Sequence, residues 1–126
     1  MSVDTRSAID GLYAVGHWLL EQERNADAMD VFRAMLIAAP EDERGWLGLG
    51  ECHDRLAEHE KAAVLYALAA QATPDAYRCV LARARVLRRL DAVDRADEAF
   101  AEAIERALAS GEEEIAARIH SEWRMS

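Results

Sequence analysis

Residues Trp46 to Leu56 read WLGLGECHDRL. The chain around them has helical periodicity, yet this stretch carries Gly48 and Gly50, two positions apart. A glycine in a helix interior costs about 1 kcal/mol against alanine. A short helix that accepts two of them gains something that a side chain would block. Close approach of a neighbouring helix is the simplest such gain.

Working outward, the small residue at 50 has counterparts. Gly16, Gly50 and Ala84 are spaced by 34 residues, and so are Leu12, Trp46 and Val80. Ala28, Ala62 and Ala96 keep the same spacing, as do Phe32, Tyr66 and Phe100. Pro40 and Pro74 are also 34 apart. Val15 and Leu49 follow the register, although Arg83 breaks it in the third copy. A fixed period of this length marks stacked helical repeats, in which each unit buries its apolar face against the next. The spacing divides the chain into 1–8, a short N-terminal segment, and repeats 9–42, 43–76 and 77–110. The third is the weakest, with Leu108 where the proline would stand.

Each repeat splits into two helices, expected at 9–22, 26–38, 43–56, 60–72, 76–90 and 93–109. Glu41, Asp42 and Glu43 place negative charge where the dipole of the third helix favours it. Pro74 follows the end of the fourth. Residues 111–126 are expected to form a capping helix. Ser110 to Glu113 reads as a capping box, and Ile115, Ile119 and Trp123 make one apolar stripe. That stripe would cover the exposed end of the core or form a dimer contact.

Composition narrows the function. A chain of 126 residues, 52% hydrophobic and 31% charged, suits one globular domain. A net charge of −9 argues against a general nucleic-acid binder, whose footprint would be basic. Cys52 and Cys79 fall inside apolar helical pattern without metal-ligand spacing, and read as small buried hydrophobes in a reducing compartment. The first ten residues, MSVDTRSAID, lack the basic start and apolar core of a signal peptide. The run from Ala62 to Thr73 is too short to span a bilayer. The expectation is a cytoplasmic protein without membrane insertion.

The order of large apolar, small, alanine, aromatic and proline positions resembles the tetratricopeptide repeat. That resemblance implies an all-α fold, a right-handed superhelix of three antiparallel helix pairs with a C-terminal cap. It also implies a concave face lined by the first helix of each pair, able to hold an extended peptide. Positions three or four apart share one helix face. The candidate groove residues are then Tyr13, His17 and Leu20 from repeat one, Arg44, Leu47, Gly48, Glu51 and Asp54 from repeat two, and Arg78, Leu81, Arg85 and Arg88 from repeat three. Gly48 matches Ala14 and Ala82, and is read either as tight packing or as a groove floor that lets a ligand approach the backbone. Repeat one carries two basic and seven acidic side chains, and repeat three carries seven and six. Arginines 78, 83, 85, 88 and 89 are read either as a solvated face paired to nearby acids or as a basic groove end that fixes peptide direction.

A closer resemblance lies in LYAVGHWLL, VFRAML, RGWLGLGECHDRL and AAVLYALAA. With three repeats, an LY start at Leu12 and Tyr13, and the LGLG-x-C segment from Leu47 to Cys52, the chain is similar to the bacterial type III secretion chaperones that serve pore-forming translocators. The resemblance implies a chaperone that holds an extended, apolar segment of a secreted translocator in its groove. Tyr13, Leu47 and Leu81 would lie beside the anchors. A needle-subunit client is the runner-up, and a generic tetratricopeptide adaptor is a further alternative. A homodimer through N-terminal residues is also implied, but the N-terminus here is short and leaves that open.

The sequence points away from an enzyme, a metal site or a cofactor. His17, His53, His59 and His120 lie on separate segments. Cys52, His53 and Asp54 are adjacent on a helix and do not face one another. His53 shares a column with Leu19 and Leu87, which predicts a packed, hydrogen-bonded histidine. LGLG lies inside a helix, not between a strand and a helix as a phosphate loop would.

Overall fold

The computed structural model describes residues 2–125. Among them there are seven α-helices and no strand: α1 (Val3–Glu21), α2 (Asn25–Ala38), α3 (Glu43–Arg55), α4 (His59–Ala72), α5 (Tyr77–Arg89), α6 (Val93–Ala109) and α7 (Glu113–Arg124). Three hairpins, α1–α2, α3–α4 and α5–α6, stack in order, and α7 packs on α6. The chain is all-α, with hairpins of the tetratricopeptide type. Helix α1 starts six residues earlier than the repeat pattern predicts, because Ser2 caps it: its Oγ accepts from the Thr5 amide at 3.1 Å.

The glycines show how a hairpin closes. A Cβ at Gly50 would lie 2.2 Å from the Tyr66 ring, and one at Gly16 would lie 2.6 Å from the Phe32 ring. In the first two hairpins the aromatic of the second helix therefore sits against the glycine of its own first helix. Phe32 reaches further, and a Cβ at Gly48 would lie 2.3 Å from it. One ring thus fills the space between α1, α2 and α3. Phe32 and Phe100 are among the most buried side chains, and Tyr66 is nearly so.

The turns inside the hairpins also repeat. Glu23, Ala57 and Asp91, again 34 apart, have φ of 58°, 61° and 58°. In each turn two amides bond back to carbonyls of the preceding helix, as Ala57 does to Asp54 and Glu58 does to His53. This is the Schellman motif, which tends to place glycine at the left-handed position. Glycine holds that position only before α7, at Gly111 with φ 78°. The same geometry overturns the capping box predicted at Ser110–Glu113. Ser110 is the C-cap of α6, Glu112 is the N-cap of α7, and no side-chain bond caps α7. The chain leaves one helix through Gly111 and enters the next directly, so Ser110 is not placed to cap it.

The first helices of successive hairpins, α1, α3 and α5, pack on one another, whereas the second helices have no comparable mutual contact. The stack therefore curves with the first helices inside. Ile115 and Trp123 of α7 are partly buried and Ile119 fully so, against the core of the third hairpin. Trp123 stacks on Phe100 with ring centroids 6.1 Å apart, and its Nε1 donates to Asp97 at 2.8 Å. The predicted stripe thus covers the open end of the core.

Candidate functional site

The inner face carries two neighbouring hollows with a shared floor. Tyr13 of α1 and Leu47 of α3 line both. The first hollow, of about 570 Å³, lies at the N-terminal ends of α3 and α5, with Asp42, Glu43, Arg44 and Arg78 on its walls. The second, of about 320 Å³, is walled by His17, Glu51, Asp54, Arg85 and Arg89, with Tyr66, Ala82 and Val86 completing its floor. The floor is apolar and the walls are charged. Tyr13 meets His17 edge-on at 4.5 Å and Phe32 at 6.4 Å, so the aromatic floor is continuous with the core. Burial, followed by the Glu51 charge, raises the Tyr13 phenol above its ordinary value of 10.0.

The wall charges are engaged with one another across the hairpins. Arg44 reaches back to Asp10 of α1 at 2.8 Å and to its neighbour Asp42 at 2.8 Å. Arg55 donates to the Leu20 carbonyl at the end of α1, at 3.1 Å. Arg78 meets Glu43 at 2.9 Å, and Arg89 meets Asp54. His59 Nδ1 also lies 2.6 Å from Asp54. Arg85 makes a forked pair with Glu122 of α7, at 2.7 and 2.8 Å. Most of these ties join residues about one repeat apart in sequence, so they fix the angle between one hairpin and the next. Of the two readings of the arginine cluster, the geometry favours the paired face. Arg83 leaves the inner face altogether and lies among α4, α5 and α6 near Arg106.

Glu43 is the most constrained of these groups. Its repeat counterparts Ile9 and Tyr77 are buried apolar residues, and Glu43 itself is only 9% exposed. A buried carboxylate is costly unless hydrogen-bonded. Glu43 accepts from the Cys79 amide at 3.2 Å and from Arg78. Helix α5 begins after Ala76, which has no side chain able to cap it. A side chain of α3 thus supplies the missing cap of α5. Asp42 does the same locally for α3, accepting from the Arg44 amide at 3.0 Å.

The structure brings together Tyr13, His17, Arg44, Leu47, Glu51, Asp54, Arg78 and Arg85 around the two hollows. It does not bring in the other four. Leu20 is fully buried in the core of the first hairpins, because at the end of α1 the inner face turns under the second hairpin. Gly48 lies beneath Phe32, so its small size is required by packing, and it offers no floor to a ligand. Leu81 is half-buried against the third-hairpin core and lines neither hollow. Arg88 turns to the α5–α7 junction, its guanidinium 5.1 Å over the Phe100 ring. The spacing along the first helices did not put Asp42, Glu43, Tyr66 or Val86 on the groove, and it offered Ala82 and Arg89 only as alternatives to packing and to a paired face. A carboxylate in an otherwise apolar repeat column was the legible signal for Glu43.

His53 is packed as its column predicts, with Nδ1 3.2 Å from Glu58 Oε1. Cys52 and Cys79 are buried thiols. Burial, then the Glu51 charge, pushes the Cys52 thiol up to about 11, so it is no nucleophile near neutral pH. Among the described residues, no cluster of three or more histidine, cysteine or carboxylate side chains is arranged to hold a metal ion. No helix among them is long and apolar enough to cross a membrane.

Comparison with known proteins agrees with this geometry. The tetratricopeptide repeat profile matches residues 19–84, just over half of the chain. Curated proteins give no sequence match. Among solved structures, PcrH from Pseudomonas aeruginosa is 28% identical, with a TM-score of 0.79 over 99% of this chain and 93% of that one. PcrH in complex with the chaperone-binding region of PopB is 29% identical, with a TM-score of 0.77 over 96% of each chain. The type III secretion translocator chaperone SycD from Yersinia enterocolitica has a TM-score of 0.82 over 96% of this chain and 91% of that one; at 21% identity it speaks for the fold alone.

Proposed function

We propose, for a chain that belongs to the tetratricopeptide repeat family, that it is a type III secretion chaperone that keeps a translocator protein soluble before export. The observation that carries this reading is the likeness, at 29% identity over 96% of each chain, to PcrH in complex with the chaperone-binding region of PopB. The inner face supplies the mechanism of this reading. An extended segment of the translocator lays apolar side chains on Tyr13, Leu47 and the floor of the second hollow. The backbone of that segment finds polar partners along the walls. Burying an amphipathic segment in this way removes from water the surface through which it would aggregate or enter a membrane too early. The protein acts as a binding module in the bacterial cytoplasm and carries out no chemistry. Val15 and Trp18 of α1 stay about half exposed, and a homodimer that covers them belongs to the same reading.

The test is recovery of the tagged chain from the cytosol of its own secretion-competent cells, with partners identified by mass spectrometry. The expected partner is one secreted protein with long apolar helices, lost when Leu47→Glu is used as bait. A small polymerising partner would assign the needle subunit as client. Recovery of many unrelated proteins would overturn the secretion reading.

A further inference from the structure

Three arginines lie along the last turns of α5: Arg85 and Arg89 line the second hollow, and Arg88 turns to the junction with α7. Arg89 is held by Asp54 of α3. The other two converge on a single carboxylate from another element. Glu122 of α7 takes the fork of Arg85, and lies 3.5 Å from an Arg88 nitrogen. The Glu122 backbone carbonyl also accepts from Arg88 at 3.4 Å. Arg85 lines the second hollow. A residue of the C-terminal helix therefore occupies the guanidinium that a ligand carboxylate entering that hollow would use. Arg85 draws the Glu122 carboxyl below its ordinary value of 4.5, so it stays ionised at neutral pH.

We propose that Glu122 is a built-in competitor for acidic groups, so that the docked α7 closes an anion-accepting end of the groove at Arg85. With α7 seated, the face turns away carboxylates at this end and favours uncharged segments. When α7 is displaced, the Arg85 guanidinium opens towards the second hollow, and a planar forked donor of this kind suits a carboxylate. The contact that fastens α7 and the contact that would bind an acidic side chain are the same, so each opposes the other, and linkage requires the effect to be reciprocal. The gate matters to a client only if the inner face is the client groove, as proposed above. The test therefore uses no client.

Penta-aspartate peptide is titrated into the full chain at low salt, followed by calorimetry. The Glu122→Gln variant is expected to bind it at least about fivefold more tightly than the wild type, as removal of a forked competitor predicts. The gain should vanish in the Arg85→Gln, Glu122→Gln double variant. Equal affinity of wild type and Glu122→Gln overturns the proposal, as does a gain that survives loss of Arg85. If Glu122→Gln fails to keep its α-helical signal, hydrogen exchange of α7 in the wild type decides instead. Saturating penta-aspartate should speed exchange along α7, and unchanged exchange overturns the gate.

Discussion

At the residue scale, each glycine answers to the ring beside it. Gly11 has nothing within 4 Å of where its Cβ would be, whereas Gly48 would press a Cβ to 2.3 Å from Phe32. Both lie inside helices, where alanine is favoured by about 1 kcal/mol. Gly11→Ala should therefore raise stability by roughly 0.4–1 kcal/mol in urea melts. Gly48→Ala should lower it by about 1–3 kcal/mol through overpacking, despite its better helix propensity. Carboxylates set a pH dependence at the same scale. A hydrogen bond from Arg44 holds Asp42 below its ordinary 3.8, and one from Arg85 holds Glu122 below 4.5. A folded-state value below the unfolded one means the unfolded chain takes up the proton first as pH falls. The stabilisation is thus complete above the unfolded values and disappears as pH drops through the folded ones. Chemical melts from pH 6 to pH 2.5 should show this loss, and Asp42→Asn should make it shallower. A variant as steep as the wild type would exclude Asp42 as a contributor.

At the element scale, caps and turns decide how one helix meets the next. Glu43 is a side chain of α3 that terminates α5, so Glu43→Ala should cost about 1–3 kcal/mol, the usual range for leaving a buried partner unsatisfied. Amide exchange at Cys79 should rise with it, while α2 stays protected. Loss of protection spread evenly over the chain would refute this local role. The turn at Ala57 stores strain, since an L residue in the left-handed region costs about 1–2 kcal/mol. Ala57→Gly should recover part of that, with a net gain of up to about 1 kcal/mol after the added freedom of the unfolded chain. The three hairpin turns are readable only in part from the sequence. The break at Ala57–His59 shows where the turn is, but Glu23 and Ala57 are not residues that announce a positive φ, and only Asp91 belongs to a type that adopts it readily. Backbone bonds within the Schellman motif impose it, and the packed helices on either side hold it in place.

At the scale of the whole molecule, the charges on the inner face hold its shape, and in the proposed function the apolar floor is the part that meets the client. Client affinity should consequently change little between low and physiological salt, because the wall charges are already neutralised by neighbours. A steep fall with salt would mean that the client displaces these pairs. Leu47→Glu should abolish client binding with helicity intact. Leu81→Glu should instead lower stability, since Leu81 packs on the third-hairpin core; circular dichroism melts of the two variants separate these outcomes.

The period of 34, the helix pairs, the match of each aromatic to a small residue and the apolar stripe that caps the stack are all legible along the chain. These features rest on nearest-neighbour packing, which repeats with the chain and so leaves a periodic trace. Which inner-face residues reach solvent follows from the three-dimensional packing alone. Leu20 and Gly48 share the groove spacing of their neighbours, but one lies under the second hairpin and the other under Phe32. That packing also decides that the arginines are bound. Arg78 finds Glu43, and Arg85 finds Glu122, across separations of about one repeat. Such pairings depend on side-chain reach and on the rotation between hairpins, and spacing along a single helix carries no record of either.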